Sequence, residues 1–246
     1  MRAFVSLARS EVRLFFRERQ AVFWTFLYPL LMIWLFGVIF GKQKLDGVPY
    51  AEMYVPSWIG VNVLTIALYT IGTTLTVYRE KGILKRYQAT PVRPWTVLGS
   101  HVVYGVVVFA ISAAVMVVEG RLLFGLSMPK SVPGLAFAVV LSIFALFPFG
   151  LLLASLAKNA RAAAALSALV LNIMLLFSGA TFPLALFPVF LRHFANWLPL
   201  YYVIDLLRAA WNQTGFVAAR GDVWALLAIG AISIVLAARA FRWQER

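Results

Sequence analysis

Side chains able to do chemistry are few in this chain, and none stands beside the partner that a catalytic centre needs. The two histidines, His101 and His193, have no second ligand at metal spacing, so satisfied or solvated imidazoles are expected rather than a metal site. No Gly-x-x-x-x-Gly-Lys-Ser/Thr occurs, because Gly41-Lys42 lacks both the first glycine and the hydroxyl residue. The chain therefore has no loop of that kind to cradle a nucleotide's phosphates, and energy for any work must arrive from a partner. Ser178-Gly179 invites comparison with an intramembrane serine protease, but no glycine stands two residues before the serine and no histidine follows in a hydrophobic run. A small-residue kink where helices approach closely fits better. Glu119 and Arg121 are expected to snorkel to an interface or satisfy one another. Asp205 and Arg208, three apart on one helical face, can pair and pin their segment.

Uncharged polar residues form a second group. Asn62, Thr65, Tyr69 and Thr73 follow i, i+3, i+7, i+11 spacing and share one helical face, with Thr74, Asn172 and Ser178 as further polar positions. Such a face lines a solute route or hydrogen-bonds neighbouring helices within one subunit, and both readings stand. The third group is dense charge between Tyr78 and His101. There Glu80 to Gln88 can form about two helical turns, with Ile83, Leu84 and Tyr87 on one face and Lys81, Lys85 and Arg86 around the rest. Thr90-Pro91 and Arg93-Pro94 stop it, since proline offers no N–H and pushes the preceding residue out of the helical region. Read from charge alone, the stretch is a docking helix or a plain topological signal.

The elements that position these residues follow from composition. The 246 residues are 63% hydrophobic, hold no cysteine and carry a formal net charge of +13. In a soluble domain that charge would suggest nucleic acid, but a mean hydropathy of +0.88 argues for a polytopic membrane protein with no nucleic-acid partner. Without cysteine there are neither disulfides nor thiolate metal sites. No small-residue cleavage site follows the opening, so the first span is expected to be retained.

Six hydrophobic runs are each near the roughly 20 residues that cross a bilayer: Val22 to Gly41, Tyr54 to Val77, Thr96 to Val118, Gly134 to Ala157, Ala162 to Phe182, and Val223 to Phe241. An even number puts both termini on one side. Basic residues crowd the N-terminal arm, the Tyr78–His101 stretch, the Lys158–Arg161 connection and the C-terminal tail. Only Lys42, Lys44, Arg121, Lys130, Arg192, Arg208 and Arg220 fall opposite. The positive-inside bias then makes both termini cytoplasmic. Residues 1–21 read as an amphipathic helix in the interface, with Phe4, Val5, Ala8, Val12, Phe15 and Phe16 in the acyl boundary. Arg2, Arg9, Arg13 and Arg17 lie alongside on lipid headgroups. Residues 183–222 are apolar but interrupted by Pro183, Pro188 and Pro199. They carry Arg192, His193, Asp205 and Arg208, which suits a re-entrant pair of short helices on the outer side rather than a plain span. Residues 223–246 are the last span and tail.

Two motifs carry a family resemblance over essentially the whole chain. Glu80-Lys81-Gly82-Ile83-Leu84-Lys85-Arg86, followed by Thr90-Pro91-Val92-Arg93 and Leu98-Gly99, resembles the cytoplasmic loop of ABC-2 type transporter permeases. Phe177-Ser178-Gly179-Ala180-Thr181-Phe182-Pro183, with Leu198-Pro199-Leu200-Tyr201-Tyr202 and Asp205-Leu206-Leu207-Arg208, is similar to that family's second signature. The departures are Ile83, Lys85 and His101, which stand where Thr, Glu and Lys are usual; Lys85 reverses a charge to which a partner would be matched.

The resemblance implies an all-α membrane subunit of an exporter, non-catalytic itself. ATP and magnesium would be bound by a separate ABC ATPase, and a second permease subunit, identical or paralogous, would complete the path. It further implies ATPase coupling through Arg79, Glu80, Lys81, Gly82, Ile83, Leu84, Lys85, Arg86, Tyr87, Thr90 and Pro91. Arg9, Arg13 and Arg17 would hold the interfacial helix, and Asn62, Thr65, Tyr69, Thr73 and Asn172 would line a path. Phe177, Ser178, Gly179, Pro183, Pro199, Tyr202, Asp205 and Arg208 would form an outer gate. The weakly polar, modestly aromatic path suits a drug, antibiotic or lipid, with a polysaccharide or lipid-linked glycan as the alternative. An ion- or proton-coupled carrier, the reading from another class, lacks a midplane charge.

Overall fold

The computed structural model describes residues 2–41, 43–45, 47–83, 94–212 and 219–240. A helix α1 (Arg2–Arg17) is followed by α2 (Phe23–Phe40) and a hairpin of two-residue strands, β1 (Lys44–Leu45) and β2 (Val48–Pro49), paired antiparallel. Then come α3 (Tyr50–Glu80), α4 (Pro94–Phe124), α5 (Val132–Leu156) and α6 (Ala160–Phe177). Two shorter helices, α7 (Val189–Ala195) and α8 (Pro199–Asn212), precede α9 (Arg220–Ala240).

Six of these helices, α2 to α6 and α9, are long and apolar enough to cross a membrane. The expected runs are all present with shifted ends. The fifth stops at Phe177 rather than Phe182, because Gly179 takes a left-handed φ of 83° just past the helix, a conformation that glycine adopts without steric cost.

The spans are not equivalent. In α3, 83% of the most apolar window is buried inside the subunit, whereas in α2 the share is 17% and in α9 22%. The other helices therefore wrap α3 and leave broad apolar faces outward, which suits hydrocarbon as solvent.

Close crossings fix this arrangement. Gly72 of α3 and Gly150 of α5 meet so tightly that a methyl on Gly150 would overlap the Ala67 carbonyl. Pro148 denies α5 one backbone donor, and Gly230 of α9 packs against the Phe144 ring and carbonyl one turn earlier.

The regular ladder of α3 widens into a π stretch over Ile66–Thr73. Hydroxyls bond its carbonyls: Thr73 Oγ1 donates to Leu68 O at 3.1 Å, Thr76 Oγ1 to Gly72 O at 3.1 Å, and Ser167 Oγ of α6 to Leu68 O at 3.4 Å. A second π stretch, Phe23–Leu27, lies in α2, and Thr25 O there accepts from Asn62 Nδ2 of α3 at 2.8 Å and from Ser112 Oγ of α4 at 2.9 Å. Three helices are thus pinned at one buried carbonyl.

Replacing Gly150 with leucine is expected to push α5 off α3 and destabilise the bundle by roughly 1–3 kcal/mol. Gly221→Ala, where an added methyl meets nothing, serves as the neutral control. Thermal unfolding in mild detergent reads the difference.

Candidate functional site

At the end where α3 stops, three consecutive side chains hold three different elements. Tyr78 Oη donates to the Glu11 carboxylate of α1, at 2.8 Å to one oxygen and 3.0 Å to the other. Arg79 Nη2 donates to Ala157 O at the end of α5. Glu80 Oε2 accepts from the Ala160 N–H at 2.8 Å, at the first turn of α6, where the helix dipole favours a carboxylate. Asn159 caps the same helix through its Oδ1, which accepts from Ala162 N–H. Gly82, at φ 67°, turns the chain out of α3. Glu11 is buried; desolvation raises its pKa from the usual 4.5, and the Tyr78 hydrogen bond opposes that rise.

Of the residues assigned to ATPase coupling, Arg79 and Glu80 are therefore engaged within the subunit. Lys81 is exposed, and Gly82 and Ile83 are half-buried. Leu84, Lys85, Arg86, Tyr87, Thr90 and Pro91, with most of the expected helix over 80–88, lie outside the described residues. On α1, Arg9, Arg13 and Arg17 are exposed, while Phe15 is buried against Tyr104 of α4 at 5.9 Å between ring centroids. Phe16, expected on the same apolar face, is exposed.

The polar stripe is unevenly buried. Asn62 and Thr65 are buried, Asn62 on the Thr25 carbonyl and Thr65 Oγ1 on Val61 O at 2.9 Å. Tyr69 and Thr73 are half-buried inside the π stretch. A regular 3.6-residue period does not continue across a π stretch, so spacing alone could not keep the stripe in phase. Asn172 is exposed on α6 and bonds Ala168 O of its own helix.

The opposite end is held by Arg208 of α8. Its Nε donates to Met53 O at 3.1 Å and Ser57 Oγ at 2.8 Å, and its Nη2 to Gly179 O at 2.9 Å. These bonds add to the expected Asp205–Arg208 pairing, which is electrostatic. Asp205 is a Coulombic neighbour, but the guanidinium hydrogen-bonds the start of α3 and the end of α6, while Asp205 is exposed. Burial lowers the Arg208 pKa to about 10, so it is still cationic at neutral pH. Asn212 Nδ2 adds a bond to Glu52 O at 3.2 Å.

Ser178 is buried as the cap of α6, and the Phe177 ring lies 5.6 Å from that of Phe194. Pro183 precedes a single 3-10 turn, Pro199 opens α8, and Tyr202 Oη donates to Asn196 O at 2.6 Å across the α7–α8 turn.

Arg121, expected to snorkel or to pair with Glu119, is exposed and donates to the Met128 sulfur at 3.2 Å, as side chains two apart do not face each other. One further expectation changes. His101 is neither solvated nor hydrogen-bonded among the described residues, lying buried between the Tyr78 and Tyr104 rings. Sequence reasoning missed Glu11 and Ser112. The signal for Glu11 was an acidic residue on the inward face of an otherwise basic helix, four residues before Phe15.

With six spans and these two clamped ends in view, the comparison with known families is direct. The ABC-2 type transporter model matches residues 2–211, and the chain belongs to that family of transporter membrane components. It is similar to the inner membrane transport permease YhhJ of Escherichia coli (strain K12), 24% identical over 195 residues, which cover 76% of this chain and 52% of the relative. The same figures hold for the YhhJ of Shigella flexneri. The chain spans about half the length of the curated relatives it matches.

Arg208→Ala is expected to leave Ser57 Oγ and Gly179 O without the guanidinium donor, while Met53 O keeps its bond from Ser57 Oγ, and to destabilise the protein by on the order of 3 kcal/mol. Earlier thermal unfolding together with faster protease cleavage between residues 178 and 188 is the expected outcome.

Proposed function

We propose that the chain is the permease subunit of an ABC exporter that moves a hydrophobic or amphipathic substrate outward, driven by ATP hydrolysed with magnesium on a separate ATPase subunit. The observation that carries this reading is the grip of Tyr78, Arg79 and Glu80 on α1, α5 and α6 at the point where the chain enters the stretch that resembles a coupling helix. A push on residues 80–88 reaches four helices through three polar contacts.

Division of labour follows. Arg79 and Glu80 transmit displacement within the subunit, and the residues from Lys81 to Tyr87, with Thr90 and Pro91, dock on the ATPase. Arg9, Arg13 and Arg17 hold α1 on anionic headgroups at the same face. Tyr69, Thr73 and Asn172, which keep accessible side chains, face the path between two permease subunits. Asn62 and Thr65 support that face from inside.

The Arg208 clamp sets the position of α7 and α8 over α3, and Phe177 to Pro183, with Pro199, Tyr202 and Asp205, form the outer gate around it. ATP binding favours one arrangement only so far as the ATPase contacts differ between the two states. The protein lies in the bacterial inner membrane with both termini in the cytoplasm.

Purification from native membranes in mild detergent tests this. A stoichiometric ATPase subunit with ATP hydrolysis is expected, and Arg86→Glu should lose it while the permease stays inserted. A lone protein that moves solute in liposomes without ATP overturns the reading.

A further inference from the structure

The connection between α5 and α6 is fastened to the point where the chain leaves α3. Only residues 157–159 separate the two helices. Arg79 Nη2 donates to Ala157 O on one side of the connection, and Glu80 Oε2 accepts from Ala160 N–H at 2.8 Å on the other. Both contacts use backbone atoms of the connection and leave its side chains free to meet something else. Lys158, Asn159 and Arg161 are exposed, as is Lys81, which follows Glu80.

The backbones of Lys81, Lys158 and Arg161 therefore lie within two residues of a single hydrogen bond, roughly 8 Å along the chain. Glu80 is the one carboxylate among residues 79–83 and 156–162, and its Oε2 is engaged by Ala160. The positive-inside bias asks for cations on this side of the membrane, but not that cations from two separate connections be gathered at one point. Nor do Lys158 and Arg161 stabilise α6, since the start of a helix favours negative charge. The patch is a cationic surface that neither topology nor the helix accounts for.

We propose that Lys158 and Arg161, together with Lys81, form a second contact for the ATPase subunit, where they meet acidic side chains. A partner seated on the residues from Lys81 onward also covers the α5–α6 connection, because the two are joined at Glu80. The ATPase then holds the α5–α6 connection directly, in addition to acting on it through Arg79 and Glu80. The inference rests on the permease reading and adds a second connection to it.

The chain has no native cysteine, so Arg161→Cys can carry a single benzophenone maleimide. The labelled permease is purified with its ATPase, placed in nanodiscs of phosphatidylethanolamine and phosphatidylglycerol, and irradiated. Adducts with ATPase peptides that contain Asp or Glu are expected, and none from a label at Arg121 on the opposite side. Lys158→Glu combined with Arg161→Glu should weaken ATPase binding about ten-fold at low salt, and the difference should shrink as added salt screens it. Lys158→Arg with Arg161→Lys should bind as the unaltered chain does. Unchanged thermal unfolding separates loss of the contact from loss of the fold, and both fastenings survive because they use backbone atoms. Adducts confined to phospholipid, or ATPase binding indifferent to the double charge reversal at low salt, overturn the proposal and leave the permease reading standing. A permease that holds no ATPase at all overturns both.

Discussion

Within hydrocarbon, a backbone carbonyl without a donor is costly, and two π stretches give this bundle carbonyls that side chains must reach. Thr25 O receives Asn62 from α3 and Ser112 from α4, and Leu68 O receives Thr73 from its own helix and Ser167 from α6. These short-range demands lock α2, α4 and α6 onto α3. They explain why small hydroxyl and amide residues sit deep in a chain that has little other reason to bury them. Glycine contacts then set the approach of α5, and the apolar surface left over faces outward.

The central helix is held at both ends. At one end Tyr78, Arg79 and Glu80 fasten α1, α5 and α6; at the other Arg208 fastens α8 and the end of α6 to Met53 and Ser57. Between them lies Ile66–Thr73, where the hydrogen-bond ladder is wider and partly carried by side chains. There the carbonyls released from the regular ladder are taken up by hydroxyls of the same helix and of α6.

Much of this was legible in the sequence. Six spans, the amphipathic arm and the two helices after α6 follow from hydropathy, basic ridges and proline spacing, because hydrocarbon imposes length and apolarity directly. The spacing that groups Asn62, Thr65, Tyr69 and Thr73 assumes a regular helix, and the π stretch over Ile66–Thr73 departs from that period in a way that spacing does not reveal. Arg208 was singled out, but its hydrogen-bond partners lie on other elements. Pairing by i, i+3 spacing considers one helix, whereas the guanidinium reaches Met53, 155 positions away. Glu11 was overlooked and His101 misjudged for a related reason, as their burial depends on α1 folding against α3 and α4.

The central claim is that the end of α3 binds α1 and the α5–α6 connection into one moving body. The chain has no native cysteine, so single cysteines at Ser10 and Lys158 can carry spin labels without background. Their separation would be measured by electron–electron double resonance on the assembled transporter, free of nucleotide and with ATP trapped. The account predicts the same distance distribution in both states. A shift approaching one helical turn, about 5 Å, would contradict it.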